Sequence, residues 1–156
     1  MPTTEQEKKL RAKKSGRFIA YSSVTLAIIY AIYLFVSLDN SVVADILTSH
    51  HIDATKNAVG NFINSYRLTG IMYLIAYMCG LIAIWNQHTY LWWFLFAVYI
   101  SQAFYTAVNA GVIIQSINHV KSGFMTLPLW ITIIGSLALA VYMLVISIKR
   151  KSTFNR

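Results

Sequence analysis

After Asp53 the sequence contains no aspartate or glutamate, and from Phe18 to Ile148 every charged residue falls between four apolar runs, never within one. That distribution suits hydrocarbon, because a lone charge at a bilayer centre costs about 2.5–3.5 kcal/mol even on the most permissive scale. A span needs about 20 mostly apolar residues at about 1.5 Å rise each. Runs at 18–38, 68–85, 90–117 and 126–148 meet that length. The expected fold is all-α, an integral membrane four-helix bundle. With 12% charged residues in a chain of 156, against about 25% in soluble domains, no segment is left for a separate soluble domain.

Charge placement predicts how such a bundle sits. Lys8, Lys9, Arg11, Lys13, Lys14 and Arg17 precede the first run, and Lys149, Arg150, Lys151 and Arg156 follow the last. The positive-inside rule therefore places both tails, 1–17 and 149–156, in the cytoplasm, which four crossings allow and three or five do not. Lys56, Arg67 and Lys121 are left for the outer side. The implied location is a cell inner membrane or plasma membrane. Thr4 with Glu7 has capping-box spacing, and Glu5 with Lys9 and Glu7 with Arg11 sit four apart, so the first tail reads as a helix that lies on the surface or runs into the first span. No aromatic residue interleaves this basic cluster before Phe18. Anionic lipid, not nucleic acid, is its expected partner. The first run is too long for a signal-peptide core, so Val42 and Ala44 are not read as a cleavage site.

The connections are unequal. Asn86 to Thr89 makes a four-residue turn, and Asn118 to Met125 a short loop after which Thr126 is the expected cap and Pro128 lies in the first helical turn. The segment 39–67 carries its own pattern. Val59, Phe62, Ile63 and Tyr66 recur at helical spacing, with Asp53 the expected N-cap of a helix that starts near Ala54 and continues into the second span. Upstream, Asn40 or Ser41 is the expected cap of a shorter helix bearing Val42, Val43, Ile46 and Leu47. This helical outer loop either lids the bundle or presents Val59, Phe62, Ile63 and Tyr66 to a partner. Trp85, Tyr90, Trp92 and Trp93 read as an aromatic belt at the membrane boundary.

Candidate functional residues are few. Gln102, Tyr105 and Asn109, with Val98, Val112 and Ser116, follow one face of the third run, and an amide in hydrocarbon must find partners. Tyr73 and Tyr77 on the second run, near Gly70 and Gly80, form the opposing face, and Gly111 extends a small-residue spacing with Ala107. The expected role is helix packing, with a polar cavity for a solute or lipid headgroup as the functional alternative. His50, His51, Asp53 and His119, with Asp45, are weak metal candidates, since imidazole and carboxylate suit zinc or copper but no HxxxH or HExxH spacing is present. No metal or cofactor is therefore assigned. His88 is an isolated turn residue.

Catalytic motifs are absent: no nucleophile elbow, no phosphate-binding glycine loop, no intramembrane carboxylate or histidine. Cys79 is the single cysteine, so thiol-pair redox chemistry is excluded. The reading is a non-enzymatic accessory, scaffold or envelope-maintenance protein that contacts another membrane protein or a second copy of itself. The alternative is a homo-oligomeric transporter or channel for a small solute or lipid, lined by the polar stripe.

Overall fold

The first apolar run does not start a helix; it continues one. In the computed structural model, which describes residues 5–150 apart from the side chain of Arg150, helix α1 spans Glu5–Ile32 and closes with a wider π-helical turn at Tyr33–Ser37. Thr4 of the capping box, and Lys151 and Arg156, lie outside the described residues. Helix α2 is Asn40–Ser49, α3 is Lys56–Met78 with a tighter 3₁₀ continuation at Cys79–Ile84, α4 is Thr89–Val120, and α5 is Leu127–Arg150 after a 3₁₀ turn at Gly123–Thr126. No strand occurs among the described residues. The four segments Glu5–Ser37, Lys56–Ile84, Thr89–Val120 and Gly123–Lys149 are long and apolar enough to cross a membrane.

At 33 residues, the first of these is about 50 Å long and overshoots a hydrocarbon core of about 30 Å. Its basic beginning still packs. Ala12, Ser15 and Gly16 are buried, and a Cβ on Gly16 would collide with the Ala83 carbonyl. The small residues between the cations thus bring α1 against the end of α3. Phe18 and Tyr142 meet with ring centroids 4.8 Å apart and Leu26 packs on Gly135, so α1 and α5 run antiparallel and the start of α1 lies at the same end of the bundle as the end of α5.

At the other end, the segment 39–67 folds as a lid. Asp39, not Asn40 or Ser41, caps α2: its Oδ1 accepts from the amides of Ser41 at 3.0 Å and Val42 at 3.1 Å. A carboxylate one residue upstream reaches the free amides, which is the geometry an N-cap needs. Thr55, not Asp53, caps α3, with Oγ1 accepting from Ala58 at 3.2 Å. Asp53 is exposed, and its backbone carbonyl instead receives the Thr55 amide. Nor does Thr126 cap α5; its hydroxyl donates to the Gly123 carbonyl, while Ser122 caps the preceding 3₁₀ turn.

Helix α2 ends in a Schellman turn. Ile52 N–H donates to Leu47 at 2.9 Å and His51 N–H to Thr48 at 3.0 Å, with His51 at φ 58° where glycine is usual. Val42, Val43, Ile46 and Leu47 are buried as their spacing implies, and so are Val59, Ile63 and Tyr66. Of the two readings of that second group, lid or partner surface, its apolar face takes the first: it turns inward under the lid, and Phe62 alone of the four remains exposed, at 38%. Helical period fixes a face; it does not say what covers it.

Two cations secure the end of α1. Arg67 donates from Nη2 to the Leu38 carbonyl at 3.3 Å and lies over the Phe35 ring. Lys121 donates to the Val36 carbonyl at 2.9 Å and pairs with Asp39 at 2.8 Å. Positive charge on the orphan carbonyls of a helix C-terminus is favourable, so Arg67 and Lys121 serve the fold. The aromatic belt needs one correction. Trp85 and Tyr90 are exposed and Trp93 partly so, but Trp92 is fully buried, its indole N–H donating to Ser147 at 2.9 Å.

Candidate functional site

Near the middle of α4, Gln102 is fully buried and its amide is held from two other spans. Its Oε1 accepts from the Tyr77 hydroxyl at 2.9 Å and from Ser136 at 3.0 Å, while Nε2 donates to Thr106 at 2.8 Å. Tyr77 Oη also meets Ser136 Oγ. Three oxygens therefore share two protons, so two of the three contacts are hydrogen bonds at any one time. Beyond it, Tyr99 donates to Ser23 at 2.9 Å, and Ser23 donates to the Tyr77 carbonyl at 2.8 Å. The network thus joins α1, α3, α4 and α5 through hydroxyls and one amide, the groups that bind helices together when no water is present.

A column of tyrosines flanks the network. Tyr77 packs on Tyr99 and Tyr30, Tyr30 on Tyr33, Tyr66 on Tyr105, and Tyr105 on Tyr73, all with centroids between 5.6 and 6.2 Å. Tyr33 and Tyr66 share a hydrogen bond of 2.9 Å, and Tyr73 meets Ser101 at 2.7 Å. Tyr30 Oη, Ser37 Oγ and Arg67 Nε are buried with no hydrogen-bond partner among the described residues.

The sequence paired Tyr73 and Tyr77 with the face of Gln102, and the structure brings them together. The remainder of the stripe divides. Ser116 is buried, Val98, Tyr105 and Asn109 are half-buried, and Val112 is exposed; Asn109 donates back to its own helix at Tyr105. Gly80 is a packing position, since a Cβ there would lie 2.5 Å from Ser23 Oγ. Gly111 is not, for it is exposed with nothing within 4 Å of where a Cβ would sit. Ser23, Tyr99 and Thr106 are not marked by the sequence, and Ser136 is marked only as a small residue spaced four from Ala140, because an isolated hydroxyl in an apolar run marks no polar face until its partner is known. The stripe lines no open path through the single chain, because Gln102 is sealed on every side.

Open polar surface lies instead under the lid. A cleft of about 560 Å³ between α2 and α4 is lined by Asp45, Ser49, His50, Gln115, Ser116 and His119. At His50 and Val112 it joins an apolar recess of about 250 Å³ that includes Ile52, Phe62 and Asn109. His119 Nδ1 lies 2.7 Å from Asp45 Oδ1. That hydrogen bond, with another from Ser116, holds the Asp45 carboxyl below the usual range despite the opposing effect of burial. His50 directs Nδ1 to the Ile46 carbonyl at 2.9 Å, while His51 is exposed in the turn. Among the described residues, no three histidine, cysteine, aspartate or glutamate side chains assemble a metal-binding group, so the structure does not bring His50, His51, Asp53 and His119 together. No known protein family, curated protein or solved structure matches this chain.

Proposed function

We propose that this chain is a non-catalytic accessory protein of a cell inner membrane or plasma membrane, with both termini in the cytoplasm, and that it docks a partner membrane protein at the cleft under its lid. One observation carries the reading: the Gln102 network is buried and closed on itself, whereas the polar side chains at the lid line a cleft that opens to the surface. The cleft offers the Asp45 carboxylate, already bonded to His119, with His50, Gln115 and hydroxyl groups beside an apolar recess, and no lysine or arginine is among its lining residues. Its complement is a partner segment that places an apolar side chain by Phe62 and Ile52 and a cation or N–H donor toward Asp45. This moves the contact surface from the buried Val59, Ile63 and Tyr66 to the neighbouring rim.

A photocrosslinker at Gln115 should yield one discrete adduct, whereas one at the exposed Val141 should yield none. The identified partner, purified and mixed with this chain, should co-elute with wild type and not with Asp45→Lys or Phe62→Asp. Solute flux through liposomes of the chain alone, abolished by Gln102→Leu, would overturn the accessory reading in favour of transport.

A further inference from the structure

We infer that α1 and α5 form a binding site for one anionic phospholipid, with one acyl chain in the groove between them and the phosphate at the basic end. The groove measures about 540 Å³, within the roughly 300–1,000 Å³ typical of ligand sites. It is walled by Phe18, Tyr21 and Thr25 on α1 and by Ile131, Ala138 and Tyr142 on α5. Its floor is closed tightly, since Gly135 on α5 lets Leu26 of α1 approach to where a Cβ would be. Thr25 donates its hydroxyl to the Tyr21 carbonyl of its own helix, so that side chain asks for no partner in the groove.

Charge distinguishes this groove from ordinary lipid-facing surface. On α1 the stripe that faces the groove continues toward the N-terminus at helical spacing from Phe18 to Lys14 and Arg11. On α5 the corresponding stripe continues from Tyr142 to Lys149. All three cations are exposed. The Phe18–Tyr142 contact sets the two helices in register, so Lys14 lies about 6 Å, and Arg11 and Lys149 each about 10 Å, beyond that aromatic collar. This is the depth of a headgroup, and Tyr21 and Tyr142 are of the type that settles at such an interface. Arg17 flanks the site. Glu7, a turn beyond Arg11, is the nearest carboxylate on the stripe and lies farther from the collar, so a zwitterionic headgroup gains little there. Basic pockets between membrane helices favour anionic headgroups on these grounds. The inference does not depend on the partner proposed for the lid cleft.

The test is native mass spectrometry of the full chain in detergent with equimolar dioleoyl phosphatidylglycerol and dioleoyl phosphatidylcholine. Wild type should retain a single phosphatidylglycerol with a preference of about tenfold, as removal of one or two lysine contacts would then erase. Lys14→Gln/Lys149→Gln should reduce the preference to about twofold or less. Lys9→Gln/Lys13→Gln removes equal charge from the opposite side of α1 and should leave it intact. Ala138→Trp, which fills the groove from an exposed position, should abolish retention of both lipids while thermal unfolding in lipid-free detergent stays unchanged. Equal retention of the two lipids by wild type, equal loss in both lysine pairs, or full binding by Ala138→Trp would each overturn the site.

Discussion

The two polar regions of this bundle use different chemistry for the same task. In the middle, hydroxyls and one amide join four helices without a formal charge. At the lid, the Asp39–Lys121 ion pair and the Asp45–His119 hydrogen bond join α2 to the loop after α4 and to α4 itself. The difference follows from solvent. Hydrocarbon penalises an unmet polar group and more so a charge, whereas at an exposed surface a charge pair is tolerated and weak. The middle should therefore be costly to disturb and indifferent to pH and salt, and the lid the reverse.

The largest effect is expected at Gly80, where an alanine Cβ would displace Ser23 and with it the links to Tyr77 and Tyr99. Overpacking costs about 1–3 kcal/mol, and the lost hydrogen bonds bring Gly80→Ala to the upper part of that range, measured by denaturant unfolding in micelles. Gly111→Ala is its control: inside α4 with nothing near that position, alanine should stabilise by about 0.5–1 kcal/mol. Equal losses in the two variants would mean that close packing is not what places glycine in α3.

Gln102→Leu comes next. It removes three hydrogen bonds, and such bonds average about 0.6 kcal/mol within membranes, which predicts a loss of about 2 kcal/mol. Adding Ser136→Ala should cost less than its single-variant value, since its shared partner is already gone. Strict additivity in that double-mutant cycle would dissolve the network into independent contacts.

A smaller change of opposite sign is expected at His51, the left-handed residue of the turn after α2. A non-glycine residue there costs about 1 kcal/mol, so His51→Gly should stabilise the lid by about that amount, read as slower hydrogen exchange in α2. No change would show that strain at this turn is already relieved by its hydrogen bonds.

How much of this was legible in the sequence differs between the same two regions. The spans could be read because exclusion of charge is a property of single residues, and Tyr77 could be set against Gln102 because both lie near the centre of adjacent runs. The partners Ser23, Tyr99, Thr106 and Ser136 could not, since their role depends on how helices rotate about their axes. At the lid, the spacing of Val59, Ile63 and Tyr66 identified an apolar face, but α2 covers it, and two caps shifted because several side chains near each helix start could accept a hydrogen bond. Lys121 and Arg67 looked like residues stranded on the outer side. Their purpose emerges only where the π turn of α1 leaves carbonyls for them to meet.

The smallest effect concerns acid. Burial alone would raise the Asp39 carboxyl pKa, but hydrogen bonds from Lys121, Ser41 and the Val42 amide, with the Lys121 charge, lower it to about 2, against about 3.9 for an unperturbed aspartate. A carboxylate depressed in the folded state adds stability that is complete above the unfolded value and disappears as pH falls through the folded one. The lid should therefore hold constant from neutrality to about pH 5 and loosen between about pH 4 and 2. Because Asp39 is 40% exposed, solvent screening limits the effect to about 1 kcal/mol or less. Hydrogen exchange in α2 should show it, and Asp39→Asn should remove this share of the acid dependence, leaving that of Asp45, at the cost of a looser lid at pH 7. Exchange in the segment around Gln102 should not move over the same range, since no carboxylate belongs to its network. If that segment loosens in step with α2, the two regions unfold as one unit and the contrast in their chemistry has no separate consequence for stability.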